Sequence, residues 1–286
     1  MLKGYTKQEI SWMMYDWANS AHSVIIVTLL PIFFDTVAGY TADSVSSMST
    51  WGYATSIAML IVALAAPFLG VFGDIRGMRK KLFSFFMLLG VAACAGMAFT
   101  PGMDFTSGPV AAGKVASLIL VLYIVSVIGF DASAIYYDAF LTDVTTEDRM
   151  DKVSTMGYGL GYIGGSTIPL LIFLIMNLVG VPMLTCLAFV FGLTAVWWLA
   201  FSLPLLKNCE QTSGKPYEKG DVARSMKGVG TTIKEIIANK PMLIYILSYF
   251  FYIDGVHTVI SMATTYGTNL GLDSTGLLLA LLVTQF

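Results

Sequence analysis

Seven stretches of this chain are each long and apolar enough to cross a lipid bilayer, and that feature limits the fold more than any other. They run near residues 12–37, 51–72, 82–100, 115–139, 154–178, 183–204 and 241–267, and an eighth opens near Ser274. A helix needs about 20 apolar residues to cross a hydrocarbon core ~30 Å thick. Within that core only the chain itself can satisfy its peptide groups, so each stretch is read as a helix; no alternating strand-and-turn pattern competes. Composition agrees. Charged residues make up 12% of the chain and hydrophobic ones 56%, whereas a water-facing surface calls for about 25% charged residues. The expected class is an all-α membrane protein whose first partner is the lipid bilayer.

Basic residues are retained on the cytoplasmic side of a membrane. With a cytoplasmic N-terminus, that side receives Lys3 and Lys7, then Arg76, Arg79, Lys80 and Lys81, then Arg149 and Lys152. The long polar segment adds Lys207, Lys215, Lys219, Arg224, Lys227, Lys234 and Lys240, so 15 of the 16 Lys and Arg lie inside and Lys114 alone lies outside. The span assignment and the orientation support each other. A bacterial inner (plasma) membrane suits the compact loops, and a vacuolar membrane is the expectation in a eukaryote. No cleavable leader is evident, because the first apolar stretch is too long and lacks a small-residue cleavage site.

The spans divide the chain into a six-span bundle at 1–206, a cytoplasmic middle loop at 207–240, and the start of a second bundle at 241–286. Val222–Ala238 within the loop reads either as a basic helix lying on an anionic leaflet or as a solvated linker. The stretch from Ser274 runs only about 12 residues, too few to span, so the chain is expected to be part of a longer one, with further spans to follow. A short repeat agrees: Asn19-Ser-Ala-His22-Ser-Val-Ile25 in the first span matches Asp254-Gly-Val-His257-Thr-Val-Ile260 in the seventh, and these hold both histidines of the chain. Parallel six-span halves would make those spans symmetry mates.

Cys94, Cys186 and Cys209 are scattered and suggest neither a disulfide framework nor a metal site. No cofactor motif is expected. The basic residues follow topology and are not gathered for nucleic acid.

Between spans two and three stands Gly70-Val-Phe-Gly-Asp74-Ile-Arg76-Gly77-Met-Arg79-Lys80-Lys81. It resembles the cytoplasmic signature loop of the major facilitator superfamily, with Ile75 and Met78 at positions usually basic. Tyr15-Asp16-Trp17-Ala18-Asn19-Ser20-Ala21 is a sharper match, and looks like the first-span signature of the autophagy-related vacuolar amino-acid effluxer family and its prokaryotic relatives. Gly157-Tyr-Gly-Leu-Gly161-Tyr-Ile-Gly164-Gly165 and Phe251-Tyr-Ile-Asp254-Gly255 are similar to that family too. The resemblance implies a major-facilitator fold of about twelve spans, alternating access, and movement of amino acids or other small solutes.

An ionisable group in a span costs at least ~2.5 kcal/mol on insertion scales and normally faces a cavity or a partner. Asp16, Asp131, Asp138, Asp254, His22 and His257 qualify. Asp254 and His257 share a helical face, as do Asn19 and His22. In the superfamily, spans one, four, seven and ten line the central cavity, and the first three carry all of these residues. Asp254 and Asp131 are the expected proton carriers, since a carboxyl withdrawn from water favours its neutral form. The histidines are placed to share that task, with Asn19, Trp17, Tyr136 and Tyr137 supplying substrate contacts. Structural interhelical bonding is the plainer reading, the more so for Asp16 and Asp138 near the cytoplasmic ends. Asp143 and Asp148 are expected to pair with Arg149 or Lys152.

Gly159-Leu-Gly161-Tyr-Ile-Gly164 spells a dinucleotide-binding pattern, but that motif needs a preceding strand, and here an apolar span follows. Gly157, Gly161, Gly164 and Gly165 instead form a stripe suited to close helix packing or sliding. The expected function is a proton-linked secondary transporter. A channel or a non-transporting receptor is the alternative, and a membrane enzyme lacks any cluster of catalytic groups.

Overall fold

The computed structural model describes residues 3–41, 47–214, 216 and 221–283. Every regular element among them is helical, and seven helical segments are long and apolar enough to cross a membrane. The first six are α1 (Lys7–Ala38), α2 (Ser47–Gly73), α3 (Arg79–Met97), α4 (Pro109–Val144), a fifth span in pieces, and α7 (Met183–Asn208). That fifth span is α5 (Met150–Leu160), a π turn at Gly161–Ser166, and α6 (Thr167–Leu178). Beyond it come α8 (Asp221–Ala238), α9 (Lys240–Asn269) and α10 (Ser274–Val283).

Several helices outrun the hydrocarbon core for local reasons. α1 starts five residues before the apolar stretch because Thr6 and Glu9 form a capping box. Thr6 Oγ1 accepts the N–H of Glu9 at 3.1 Å, and Glu9 Oε2 accepts the N–H of Thr6 at 2.7 Å, which satisfies two otherwise orphaned amides. α4 starts at Pro109, whose missing N–H costs nothing at the first helical position. The same Glu9 takes Nε and Nη2 of Arg149 at 2.8 Å each and Thr145 Oγ1 at 2.7 Å. The start of α1 is thereby tied to the turn between α4 and α5. This corrects the expected pairing of Arg149 with Asp143: the carboxylate hydrogen-bonded to Arg149 is Glu9, and the charge of Asp148 also acts on it.

α1 is the central post. It packs on α7, α4, α5 and the π turn, and also touches α9. Trp12, Tyr15, Tyr137, Phe83 and Trp198 form the aromatic heart of the bundle, all nearly inaccessible. Trp12 stacks on Tyr137 with centroids 4.3 Å apart and donates its indole N–H to Tyr137 O at 2.9 Å. Tyr15 OH shares a 2.8 Å hydrogen bond with Ser133 Oγ and accepts Trp198 Nε1 at 3.3 Å. Aromatic polar tips that find partners let such large rings be buried at little polar cost.

α3 and α4 cross at two glycines, Gly90 and Gly129. A Cβ on Gly129 would lie 2.5 Å from Gly90 N and 2.7 Å from both Gly90 Cα and Phe86 O. These helices touch backbone to backbone, as small residues allow where lipid offers no hydrophobic drive for association.

Candidate functional site

The glycine stripe of the fifth span lies against the signature segment of α1. A Cβ on Gly157 would run into the Asp16 carboxylate, and one on Gly164 into the Trp17 ring. One on Gly161 would lie 2.6 Å from Ser20 Oγ, and one on Gly165 2.5 Å from Trp17 O. The π turn spans three of these four glycines. Its extra residue per turn frees carbonyls from the helix ladder, and Thr167 Oγ1 donates to Tyr162 O at 2.8 Å. Ser166 Oγ reaches across to Ser20 O at 3.3 Å. Trp197 crosses from α7, donating its indole N–H to Trp17 O at 2.9 Å and stacking on Trp17 at 6.0 Å.

Asp16 is buried in this seam and accepts the hydroxyl of Tyr137 at 2.8 Å. Its position near the N-terminal end of the span does not open it to water, whereas Asp138 is exposed. Tyr137 and Tyr136 both make hydrogen bonds between helices. Tyr137 bonds Asp16, and Tyr136 donates to Leu69 O on α2 at 3.1 Å. Asn19 is buried on α1. His22, at the midpoint of α1, is stacked on Phe130 at 4.8 Å and lies 5.1 Å from the Trp198 ring. Neither ring nitrogen of His22 has a hydrogen-bond partner among the described residues.

Asp131 lies on α4, ~7 Å along the axis from the helix midpoint at 1.5 Å per residue. Its Oδ2 is buried and has no hydrogen-bond partner among the described residues. Trp17 Nε1 is buried in the same condition. Asp254 and His257 are exposed along α9. The structure thus brings Asp16, Trp17, Tyr137 and the four glycines into one seam, and leaves Asp131, Asp254 and His257 outside it.

The signature loop is organised by residues that sequence reasoning missed. Gly70 has open space around it, and Asp74 and Arg76 are exposed. Gly77 turns the chain at φ +80°, a conformation that favours glycine. Lys80 is half-buried, whereas Arg79 is 5% exposed. Arg79 Nη1 ion-pairs with the carboxylate of Asp143 at the end of α4 and donates to Ala139 O at 3.0 Å and Ser213 Oγ at 3.1 Å; Asp74 lies 3.8 Å from Nη2. Asp143 therefore pairs with Arg79, a correction to the expected Arg149 or Lys152.

The start of the middle segment clasps this loop. Gln211 Oε1 accepts the N–H of Gly77 at 2.9 Å and of Arg79 at 3.3 Å, and Gln211 Nε2 donates to Gly73 O at 3.0 Å. Asp143 Oδ1 accepts from Thr212 N at 3.0 Å, Thr212 Oγ1 at 2.9 Å and Ser213 N at 2.8 Å. Because one glutamine side chain holds three backbone groups of the loop, Gln211→Ala is expected to speed amide exchange at Gly77 and Arg79 about tenfold, the equivalent of one net hydrogen bond of ~1.4 kcal/mol. Hydrogen–deuterium exchange of the detergent-solubilised protein reads this directly; unchanged protection would show that the clasp carries no weight.

Comparisons with known proteins agree with this architecture. The family described as "Vacuole effluxer Atg22 like" matches residues 5–149 and 142–286. The chain is 41% identical to the MFS-type transporter YxiO of Bacillus subtilis, over 100% of this chain and 66% of that protein. It is 26% identical to autophagy-related protein 22-1 of Penicillium rubens, over 40% of this chain and 21% of that one. A D-xylose-proton symporter of known structure superposes with a TM-score of 0.59 at 14% identity, covering 98% of this chain and 65% of the symporter. At that identity the likeness speaks to the fold alone. The chain spans about two thirds of the length of the Bacillus relative.

Proposed function

The chain belongs to the Atg22-like vacuole effluxer family and has the major-facilitator fold, and we propose that its protein is a secondary transporter that moves a small solute by alternating access, coupled to protons. Amino acids and related metabolites are the proposed cargo, on the strength of the first-span signature Tyr15–Ala21. The proposed location is the plasma membrane with the N-terminus in the cytoplasm, in keeping with the bacterial relative and the distribution of Lys and Arg.

The observation that carries the reading is Asp131. A carboxylate oxygen buried in a span without a donor is costly as an anion. A proton relieves that cost, and so does a cationic group on a substrate, which is the alternation a coupled carrier needs. Asp16 is the second carboxyl inside the bundle, but Tyr137 already bonds it, which suits a role in orienting α1 against the fifth span. Asp254 and His257 remain proposed members of the same pathway on α9.

The test is transport in proteoliposomes with a panel of radiolabelled amino acids. Saturable counterflow is expected of the carrier, and flux without saturation would indicate a channel. Asp131→Asn is expected to abolish accumulation driven by an imposed pH gradient while retaining solute exchange, which needs no net proton movement. Undiminished proton-driven accumulation in that variant would sink Asp131 as the carrier.

A further inference from the structure

We propose that α8 is a membrane-surface helix that seats its apolar stripe in the interfacial layer of an anionic phospholipid leaflet, bound through acyl chains on one face and headgroups beside the other. The leaflet's identity as the cytoplasmic one rests on the orientation proposed above; the docking itself does not.

The pattern comes first. Val222, Met226, Val229, Ile233 and Ile237 follow one another at steps of 4, 3, 4 and 4 residues, so they share a stripe on a helix of 3.6 residues per turn. Lys227, Thr231 and Lys234 make a second row, about a third of a turn round, with Arg224 and Glu235 beyond it. Asp221–Ala238 is helical, as a surface helix requires. At 18 residues it is long enough to lie flat but carries too many polar groups to span.

The protein does not cover the C-terminal end of the stripe. Ile233 is 51% exposed and Ile237 59%, while Val229 and Ile236 are half-buried. Two β-branched apolar side chains on adjacent turns, open in this way, need an apolar medium beside them. The depth of the helix identifies that medium. α8 ends at Ala238 and α9, a membrane-length helix, begins at Lys240, with Asn239 as the sole residue between them. Asn239 Oδ1 accepts the N–H of Met242 at 3.2 Å, which fixes the turn as the cap of the span. The C-terminal end of α8 is therefore held where a span enters the bilayer. α8 also touches α2, itself a span. An amphipathic helix pinned at that level, with Lys227 and Lys234 exposed beside the stripe, matches the chemistry of a negatively charged headgroup layer, where each lysine adds to attraction at short range.

The experiment is site-directed spin labelling of the reconstituted protein. Its native thiols are poor competitors for the label: Cys94, Cys186 and Cys209 are all fully buried, and burial pushes the Cys209 thiol up to about 12. Labels at Ile233→Cys, Ile237→Cys, Thr231→Cys and Glu235→Cys are compared for collision with oxygen, which enriches in lipid, and with a water-soluble nickel chelate. In vesicles containing phosphatidylglycerol, positions 233 and 237 are expected to favour oxygen, and 231 and 235 the chelate. Lys234→Gln is expected to lower the docked-to-undocked ratio about fivefold, the equivalent of ~1 kcal/mol per lysine at an anionic surface. Equal chelate access at all four positions means a solvated helix and overturns the proposal. Shielding of 233 and 237 from both probes means that protein covers the stripe and overturns it equally. The same depth profile in pure phosphatidylcholine, unaffected by Lys234→Gln, removes the anionic headgroup from the account. Because the readout is depth and not flux, it stands or falls independently of whether the protein transports.

Discussion

Replacing Gly129 with alanine is expected to destabilise the bundle severely, whereas the same replacement at Gly113, on the same helix, is expected to stabilise it. The two positions differ in what a methyl group meets. At Gly129 it meets the backbone of α3, with Gly90 N at 2.5 Å and Phe86 O at 2.7 Å, and at Gly113 it meets nothing within 4 Å. A side chain in the way can swing aside, but a helix backbone yields only if the whole helix moves. Overpacking of a well-packed core costs about 1–3 kcal/mol and occasionally more, and the rigid neighbour puts Gly129→Ala at or above the upper end. Helix propensity runs the other way by roughly 0.5–1 kcal/mol, unopposed at Gly113. The two variants are thus expected to differ by about 2–4 kcal/mol in unfolding free energy, measured by denaturation in mixed micelles with helix content followed by circular dichroism. Equal stabilities would mean that α3 and α4 do not cross at this closeness.

That crossing shows where sequence reasoning reached its limit. The spans could be read because hydrophobic length is a local property, written in 20 consecutive residues. The stripe Gly157, Gly161, Gly164 and Gly165 could be read for the same reason, since helical spacing alone puts the four on one side. Gly90 and Gly129 lie on different helices, and nothing in either neighbourhood says that they meet. The π turn was equally hidden, because an inserted residue in a helix looks like any other. Some signals were present and passed over. Thr6 and Glu9 have the spacing of a capping box, which would have moved the start of α1 back to Lys7.

The candidate site divides in the same way. Asp16, Asp131 and His22 stand out because ionisable groups are rare in apolar spans, yet rarity could not tell a carboxyl bonded to a tyrosine from one with an oxygen that finds no donor among the described residues. Tyr136 and Tyr137 are read from sequence as substrate contacts, and the sequence could not show that their hydroxyls bond Leu69 O on α2 and Asp16 on α1. Among Arg76, Arg79, Lys80 and Lys81, four cations with the same topological meaning, only the fold singles out Arg79, and its partners Asp143 and Ser213 are far away along the chain.

The Arg79–Asp143 pair gives the second large expectation. Both side chains are shut away from solvent, at 6% and 0% exposure, so the loss of either partner is not made good by water. Arg79→Gln leaves a buried carboxylate whose Oδ2 has lost the guanidinium, and removing one member of such a pair costs about 3–5 kcal/mol. Asp143→Asn is expected to cost less. The asparagine carbonyl can keep the donors from Thr212 and Ser213, and the orphaned guanidinium still has Ala139 O, Ser213 Oγ and, at 3.8 Å, Asp74. Once Asp143 is neutral, the further change Arg79→Gln no longer leaves a buried carboxylate without its guanidinium, so the double variant should be more stable than the two single losses added together, by at least ~1 kcal/mol of coupling. The whole cycle is measured by the same micellar denaturation. Strict additivity would mean that the two charges do not hold each other, and that Gln211, Thr212 and Ser213 close this end of the bundle without them. Coupling of the expected sign would make Asp143 the point where the end of α4, the signature loop and the middle segment are joined, so that motion in any one must be felt by the other two.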